Sequence, residues 1–241
     1  MSLKDKRIAI VGGGSGIGYA VAEACIADGA QVTIASSNLS RVQASAAKLG
    51  AGTRAAQMDV TKEPSVAAFF ESAAFDHIVT TAGDWNGPRR VRIAELDIEA
   101  AKSIFAVRFW GALTIAKYGA SKLAPGGSLT FTDGMVAHKP TKGSFVSTAM
   151  AGATEHLTRA LAVELAPLRV NAVCPGLIRT GVWDSIPEDR RETQLAEMTK
   201  TQLVPRVGTP AEAAQAYLYL MRGGYTTGQV LYVEGGTALA R

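Results

Sequence analysis

Cysteine is scarce in this 241-residue chain: there are two, Cys25 and Cys174, far apart in sequence. That count excludes a disulfide framework, and no metal-ligand spacing accompanies it, so no metal is expected. An excess of charge of one sign is missing too. The 25 Lys and Arg against 21 Asp and Glu leave +4, spread along the chain rather than gathered on one segment, so no nucleic-acid footprint is expected. The densest basic cluster, Arg89-Arg90-Val91-Arg92, reads as a solvated loop. No apolar run approaches bilayer length. Lys4-Asp5-Lys6-Arg7 leads directly into the first apolar run and leaves no room for the apolar region of a signal peptide. A cytoplasmic protein without membrane contact is the expectation.

What is abundant is apolar residues, at 47%, enough for one sizeable core, and a single domain over 1–241 is expected. Short runs such as Ile8-Ala9-Ile10-Val11, Val32-Thr33-Ile34-Ala35, His77-Ile78-Val79-Thr80, Leu129-Thr130-Phe131-Thr132, Val170-Asn171-Ala172-Val173 and Val230-Leu231-Tyr232-Val233 read as buried strands. Arg54 to Met58 is a weaker strand candidate. Helical patterns alternate with these runs. One carries Ile17, Ala20, Val21, Ala24 and Cys25 at helical spacing, with Cys25 as a small core residue. Another starts at Thr209-Pro210-Ala211-Glu212, a capping box with Pro in the first turn. The alternation predicts an α/β fold, an open, mostly parallel sheet with helices on both faces, whose ligands bind at the carboxyl ends of the strands.

The first strand runs into Gly12-Gly13-Gly14-Ser15-Gly16-Ile17-Gly18. A loop of this kind turns sharply, lets backbone approach a phosphate and presents a helix N-terminus to it. Here the chain resembles the short-chain dehydrogenase/reductase family, whose loop is Thr-Gly-x-x-x-Gly-Ile-Gly; Val11 stands for the Thr. Asp59-Val60 resembles the family's adenine-contacting pair, and Thr80-Thr81-Ala82-Gly83 its Asn-Asn-Ala-Gly. Cys174-Pro175-Gly176-Leu177-Ile178-Arg179-Thr180 resembles the segment that holds the nicotinamide carboxamide. Thr227-Gly228-Gln229 and Glu234-Gly235-Gly236 match its last strand and turn. The resemblance spans nearly the whole chain. It implies a Rossmann-type, doubly wound, seven-stranded sheet, homodimers or homotetramers, and a nicotinamide dinucleotide held by Gly12, Ser15, Gly16, Ile17, Gly18, Asp59, Val60, Ala82, Gly83, Pro175, Gly176, Ile178 and Thr180.

After the second strand, NAD selectivity normally rests on a carboxylate that holds the ribose 2′-OH. This chain has Ser36-Ser37-Asn38 there, with Arg41 one turn on. Hydroxyls, an amide and a guanidinium accept a 2′-phosphate that a carboxylate would repel. NADP is therefore favoured over NAD.

The family's chemistry uses a Tyr-x-x-x-Lys pair, a Ser and an Asn. Aligned through Leu157-Thr158-Arg159-Ala160-Leu161, the Tyr position holds Ser147 and the Lys position Ala151; no tyrosine lies between Tyr118 and Tyr217. Arg108 stands at the Asn position, and Asp133 or Gly134 at the Ser position. A serine hydroxyl is a poor acid without an assisting base. The candidate catalytic residues are therefore Asp133, Arg108, Ser147 and His138. Asp133 can donate a proton if burial keeps it neutral, or it can open a turn. His138 is an acid–base candidate or a solvated loop residue. Arg108 is expected to pair with Asp133; if the two do not pair, Asp133 regains its candidacy as the acid. Cys174 is a packed or a reactive thiol.

Two functions lead, ahead of a third, a residual carbonyl reductase or alcohol dehydrogenase using Asp133 or His138. One is an NAD(P)-dependent oxidoreductase with an atypical site, reducing an activated, conjugated substrate whose enolate Arg108 stabilises. The other is a catalytically inactive NADP(H)-binding protein with a regulatory or sensing role. The stretch from Trp183 to Pro205 carries no pattern that names the substrate, a small molecule.

Overall fold

The computed structural model describes residues 2–83 and 90–240; Arg89 of the basic cluster lies outside them. Strands β1 (Arg7–Val11), β2 (Gln31–Ser36), β3 (Thr53–Gln57), β4 (Phe75–Thr80), β5 (Leu123–Thr132), β6 (Arg169–Pro175) and β7 (Val230–Val233) form one seven-stranded sheet in the order β3-β2-β1-β4-β5-β6-β7. The strand pairings are all parallel, as the strand–helix alternation predicts. The weak candidate after residue 53 is the edge strand β3. Between the strands lie α1 (Gly16–Ala27), α2 (Leu39–Leu49), α3 (Glu63–Glu71), α4 (Ile98–Phe105), α5 (Ala112–Gly119), α6 (Phe145–Glu164), α7 (Glu188–Thr199) and α8 (Pro210–Arg222). Among the described residues, no helix is long and apolar enough to cross a membrane.

Successive strand residues point to opposite faces, and both faces of β1 are apolar for that reason. Ile8 and Ile10 pack with Val21 and Cys25 of α1 and with Tyr217 and Leu220 of α8. Ala9 and Val11 pack with Phe70 of α3, Ile115 and Ala116 of α5, and Leu161 of α6. Cys25 is a fully buried core residue. The start of α8 is held by the expected capping box, Thr209 and Glu212 each bonding the other's backbone N–H.

Arg108, expected mid-helix, sits in a π-helical segment, Ala106–Gly111, that joins α4 to α5. Such wide turns are rare and cluster at functional sites. Gly111, at its end, has Val60 against it: a Cβ there would lie 2.8 Å from Val60 Cγ2.

The sheet order reverses between β1 and β4, and there the chain must come closest to itself. A Cβ on Gly18 would lie 2.3 Å from Thr81 Oγ1 and 2.4 Å from the Gly12 carbonyl oxygen. Gly18→Ala is therefore expected to destabilise the protein by about 1–3 kcal/mol, the usual cost of overpacking, as a lower urea midpoint with an unchanged slope; a wild-type midpoint would show that the contact can relax freely.

Candidate cofactor cleft and active site

Gly12 leaves β1 at φ +88°, a conformation glycine adopts without strain. A Cβ there would lie 2.5 Å from the Ala82 amide nitrogen. The Thr81 N–H in turn donates to the Val11 carbonyl over 2.8 Å. The loop after β4 is thus clamped onto the glycine loop. Ser15 precedes α1 in extended conformation, and neither a side-chain cap nor an acidic residue occupies the helix's first turn. The orphan N–H groups and the positive end of the helix dipole remain available to a phosphate. From the opposite side, Thr180 closes on Gly16: a Cβ at Gly16 would lie 3.2 Å from Thr180 Cγ2. The two segments singled out for opposite ends of one cofactor therefore converge. Ile178 is buried and bridges to Gly208, which holds the Pro175-Gly176 segment in register. Beside Gly16, Tyr19, Thr180, Trp183 and Arg191 line a groove of about 540 Å³; it contains none of the four candidate catalytic residues.

At the end of β2, the Asn38 side chain caps α2 by accepting from the Arg41 N–H at 2.9 Å, while the Ser36 hydroxyl accepts from the Asn38 N–H at 3.2 Å. Ser37 is exposed. The Arg41 stem passes beside the glycine loop, 3.8 Å from a Cβ placed on Gly14. At the end of β3, Asp59 Oδ1 accepts from the hydroxyl and the N–H of Thr61 at 2.7 and 3.0 Å. The Thr61 hydroxyl chiefly holds this carboxyl below its usual range. Val60 is buried in the core.

The four candidate catalytic residues do not form one group. Ser147 lies near the start of α6 and donates its hydroxyl proton to the Ser144 carbonyl at 2.9 Å. Ala151, one turn on, is buried. Arg108 places its guanidinium over the β4 loop, with Nη2 2.8 Å from a Cβ built on Gly83.

Asp133, directly after β5, is 2% exposed. Among the described residues neither of its carboxyl oxygens has a hydrogen-bond partner. The ion pair expected between Arg108 and Asp133 is not formed. Arg108 lies over Gly83 instead and acts on Asp133 only as the weakest of the influences on that carboxyl. Asp133 faces Glu155 of α6. Burial first, and then the second carboxyl, push Asp133 well above the usual carboxylate range. Next to it, a Cβ on Gly134, the other residue aligned with the family's Ser, would meet nothing within 4 Å among the described residues.

His138 is not an isolated loop residue. Its Nε2 contacts Glu155 Oε1 and lies 3.0 Å from the Tyr232 hydroxyl, whose ring meets the imidazole edge-on. Burial works to raise the Glu155 carboxyl, but the hydrogen bond to His138, the proximity of Asp133 and the nearby charges of His138 and Arg159 outweigh it and leave Glu155 low. Cys174 completes the cluster as a packed thiol, 3.6 Å from Met135 Sδ. Burial first, then the neighbouring carboxyls of Asp133 and Glu155, raise it far above the ordinary range, which makes it a poor nucleophile. The ligand-type atoms of Asp133, His138, Glu155 and Cys174 lie within 4.8 Å of one another. The sequence reading missed Glu155 and Tyr232. Ser147, Ala151 and Glu155 are spaced i, i+4, i+8 on α6, so Glu155 shares the active-site face, and that spacing was the available signal.

The family profile described as Enoyl-(Acyl carrier protein) reductase matches residues 12–238. A short-chain dehydrogenase/reductase of Stachybotrys chlorohalonatus is 35% identical over 259 residues, covering 99% of each chain. Among solved structures, the MalC Reductase/Diels-Alderase of Malbranchea aurantiaca superposes with a TM-score of 0.90 at 31% identity, over 98% of this chain and 97% of that one. A small-chain dehydrogenase in complex with NADPH gives 0.84 at 33%, over 98% and 100%. This chain belongs to the short-chain dehydrogenase/reductase family.

Gly16→Asp tests the cleft. Gly16 has φ +54°, a carboxylate there would oppose a pyrophosphate at the helix N-terminus, and calorimetry is expected to show loss of binding of either nicotinamide dinucleotide. Undiminished affinity would place the cofactor elsewhere.

Proposed function

We propose that this protein is an NADP(H)-dependent oxidoreductase that reduces an activated, conjugated small-molecule substrate at an atypical site. The reading rests on one observation: the glycine loop, the β4 loop and the Pro175–Thr180 segment close into a cradle that side chains at Gly12, Gly16 and Gly18 would obstruct. NADPH fits this cradle. The α1 N-terminus would hold the pyrophosphate, Ser36, Ser37, Asn38 and Arg41 the 2′-phosphate, Asp59 and Val60 the adenine, Ala82 and Gly83 the inner ribose edge, and Pro175, Gly176, Ile178 and Thr180 the carboxamide. NADPH supplies a hydride. The solved relative in complex with NADPH supports the choice of cofactor.

The chain's own part is to receive charge and supply a proton. Hydride addition to a conjugated bond leaves an enolate, and Arg108, next to Gly83, is placed to stabilise it. Asp133, held neutral by burial and by Glu155, has the protonation state of a donor, and open space at Gly134 adjoins it. Ser147, with its hydroxyl bonded within the helix, is assigned no proton transfer. A second reading, an NADP(H)-binding protein without catalysis, draws support from that bonded Ser147 and the buried Ala151. Homodimers or homotetramers are inferred, supported by family membership and by Val163 and Tyr225 left at the surface; cytoplasmic residence is supported by two buried free cysteines.

Calorimetry is expected to show tighter binding of NADPH than NADH, and Arg41→Ala to weaken NADPH alone; a preference for NADH would overturn the 2′-phosphate assignment. With an α,β-unsaturated ketone or imine panel, NADPH consumption is expected where saturated ketones give none. Arg108→Ala is expected to lower kcat by about 100- to 1,000-fold, the usual loss for an oxyanion-stabilising group. Tight NADPH binding with no consumption by any conjugated probe would favour the binder.

A further inference from the structure

Beneath the cleft lies a line of polar groups that the family pattern does not explain. Among the described residues Asp133 is buried with neither oxygen in a hydrogen bond of ordinary geometry, and the carboxyl it faces, Glu155, is itself 4% exposed. Two ionised carboxylates at this spacing repel and leave acceptors unsatisfied; one proton shared between them removes both costs. Glu155 Oε1 in turn contacts His138 Nε2, and the His138 side chain is 31% exposed. The three groups come from the end of β5, from α6 and from the loop between them, and they step from the sealed interior to solvent.

We propose that Asp133, Glu155 and His138 form a proton path from solvent to the active-site floor. The proposal rests on the reading of Asp133 as the acid, and it adds the route by which that acid is recharged. Donation breaks the Asp133 O–H bond and forms the bond between hydrogen and substrate carbon, leaving a carboxylate beside Glu155. His138, protonated from solvent, passes its Nε2 proton to Glu155 Oε1 and is left a neutral imidazole, and the Glu155 carboxyl passes one to Asp133. The imidazole takes its next proton from hydronium or buffer. One proton moves at each step and no electrons do. The Tyr232 hydroxyl at 3.0 Å fixes the imidazole, and Arg159, with Nη2 3.5 Å from Glu155 Oε2, favours return of Glu155 to its ionised form. Glu155 and His138 never touch substrate in this scheme; they are positioning and relay residues.

The path can be tested without a substrate. The protonated Asp133 carboxyl has its own C=O infrared band, identified by its loss in Asp133→Asn. On mixing the full-length protein with D2O at neutral pH, that band shifts as the proton exchanges. His138→Asn and Glu155→Gln are each expected to slow the shift by about 100-fold, within the range a placed proton-transfer group supplies, while leaving Tm and NADPH affinity near wild type. His138→Asn alone decides the matter if Glu155→Gln fails to fold. Three results would overturn the path: no protonated band in the wild type, a divalent cation found by elemental analysis to hold Asp133 ionised, or exchange unaffected by His138→Asn. NADPH binding measured on the same samples separates the two proposals: intact binding with any of those results removes the path and leaves the reductase, whereas a wild type that binds no NADPH removes the reductase.

Discussion

Where the chain leaves β1, the absent side chains of Gly12 and Gly18 let three backbone segments meet at distances that no Cβ would permit. That contact fixes the β4 loop against the glycine loop and orients α1 so that its N-terminus, which no side chain caps, faces the cleft. It also sets where Gly83 lies, and with it where Arg108 can rest, since the guanidinium occupies the space a side chain at Gly83 would take. The cofactor frame and the placement of the cleft's cation thus descend from one steric constraint at the point where the strand order reverses.

The frame keeps the family's pattern where the catalytic floor does not. Gly16 still meets Thr180, and Ile178 still ties its segment to Gly208. On α6, by contrast, Ser147 bonds back to Ser144 and Ala151 packs as core. Two turns along the same helix, Glu155 holds a charge in the interior, partnered by His138 and Arg159. A buried carboxylate is tolerated only with such partners, and burial first, then Glu155, raise the Asp133 carboxyl. In the proposed scheme the proton donor belongs to this cluster at the end of β5 rather than to Ser147.

The central strands were legible because they are largely apolar on both faces, a pattern few other elements share, whereas the edge strand β3 gave only a weak signal. The start of α8 was legible because a capping box is local. The glycine loop and the Pro-Gly segment could be read for the same reason: each is a short motif whose function lies in its own backbone. What escaped was non-local. Asp133 and His138, Glu155, and Cys174 come from three separated stretches, and beyond the helical spacing that puts Glu155 on the active-site face no pattern announces that they meet. Arg108 was read as the counter-ion of Asp133 because both replace converging family positions. The π-helical segment instead carries its guanidinium over Gly83, and a one-residue widening of a helix leaves no sequence signature.

The central claim is that an intact dinucleotide frame serves a relocated proton donor. Single turnover with NADPH deuterated at the transferable position, in ordinary water, with a conjugated ketone as probe, tests it most directly by mass spectrometry. The account predicts a reduced product with deuterium on the β-carbon and solvent hydrogen on the α-carbon, and loss of that product in Asp133→Asn with NADPH still bound. A product free of deuterium, or full turnover by Asp133→Asn, would contradict it.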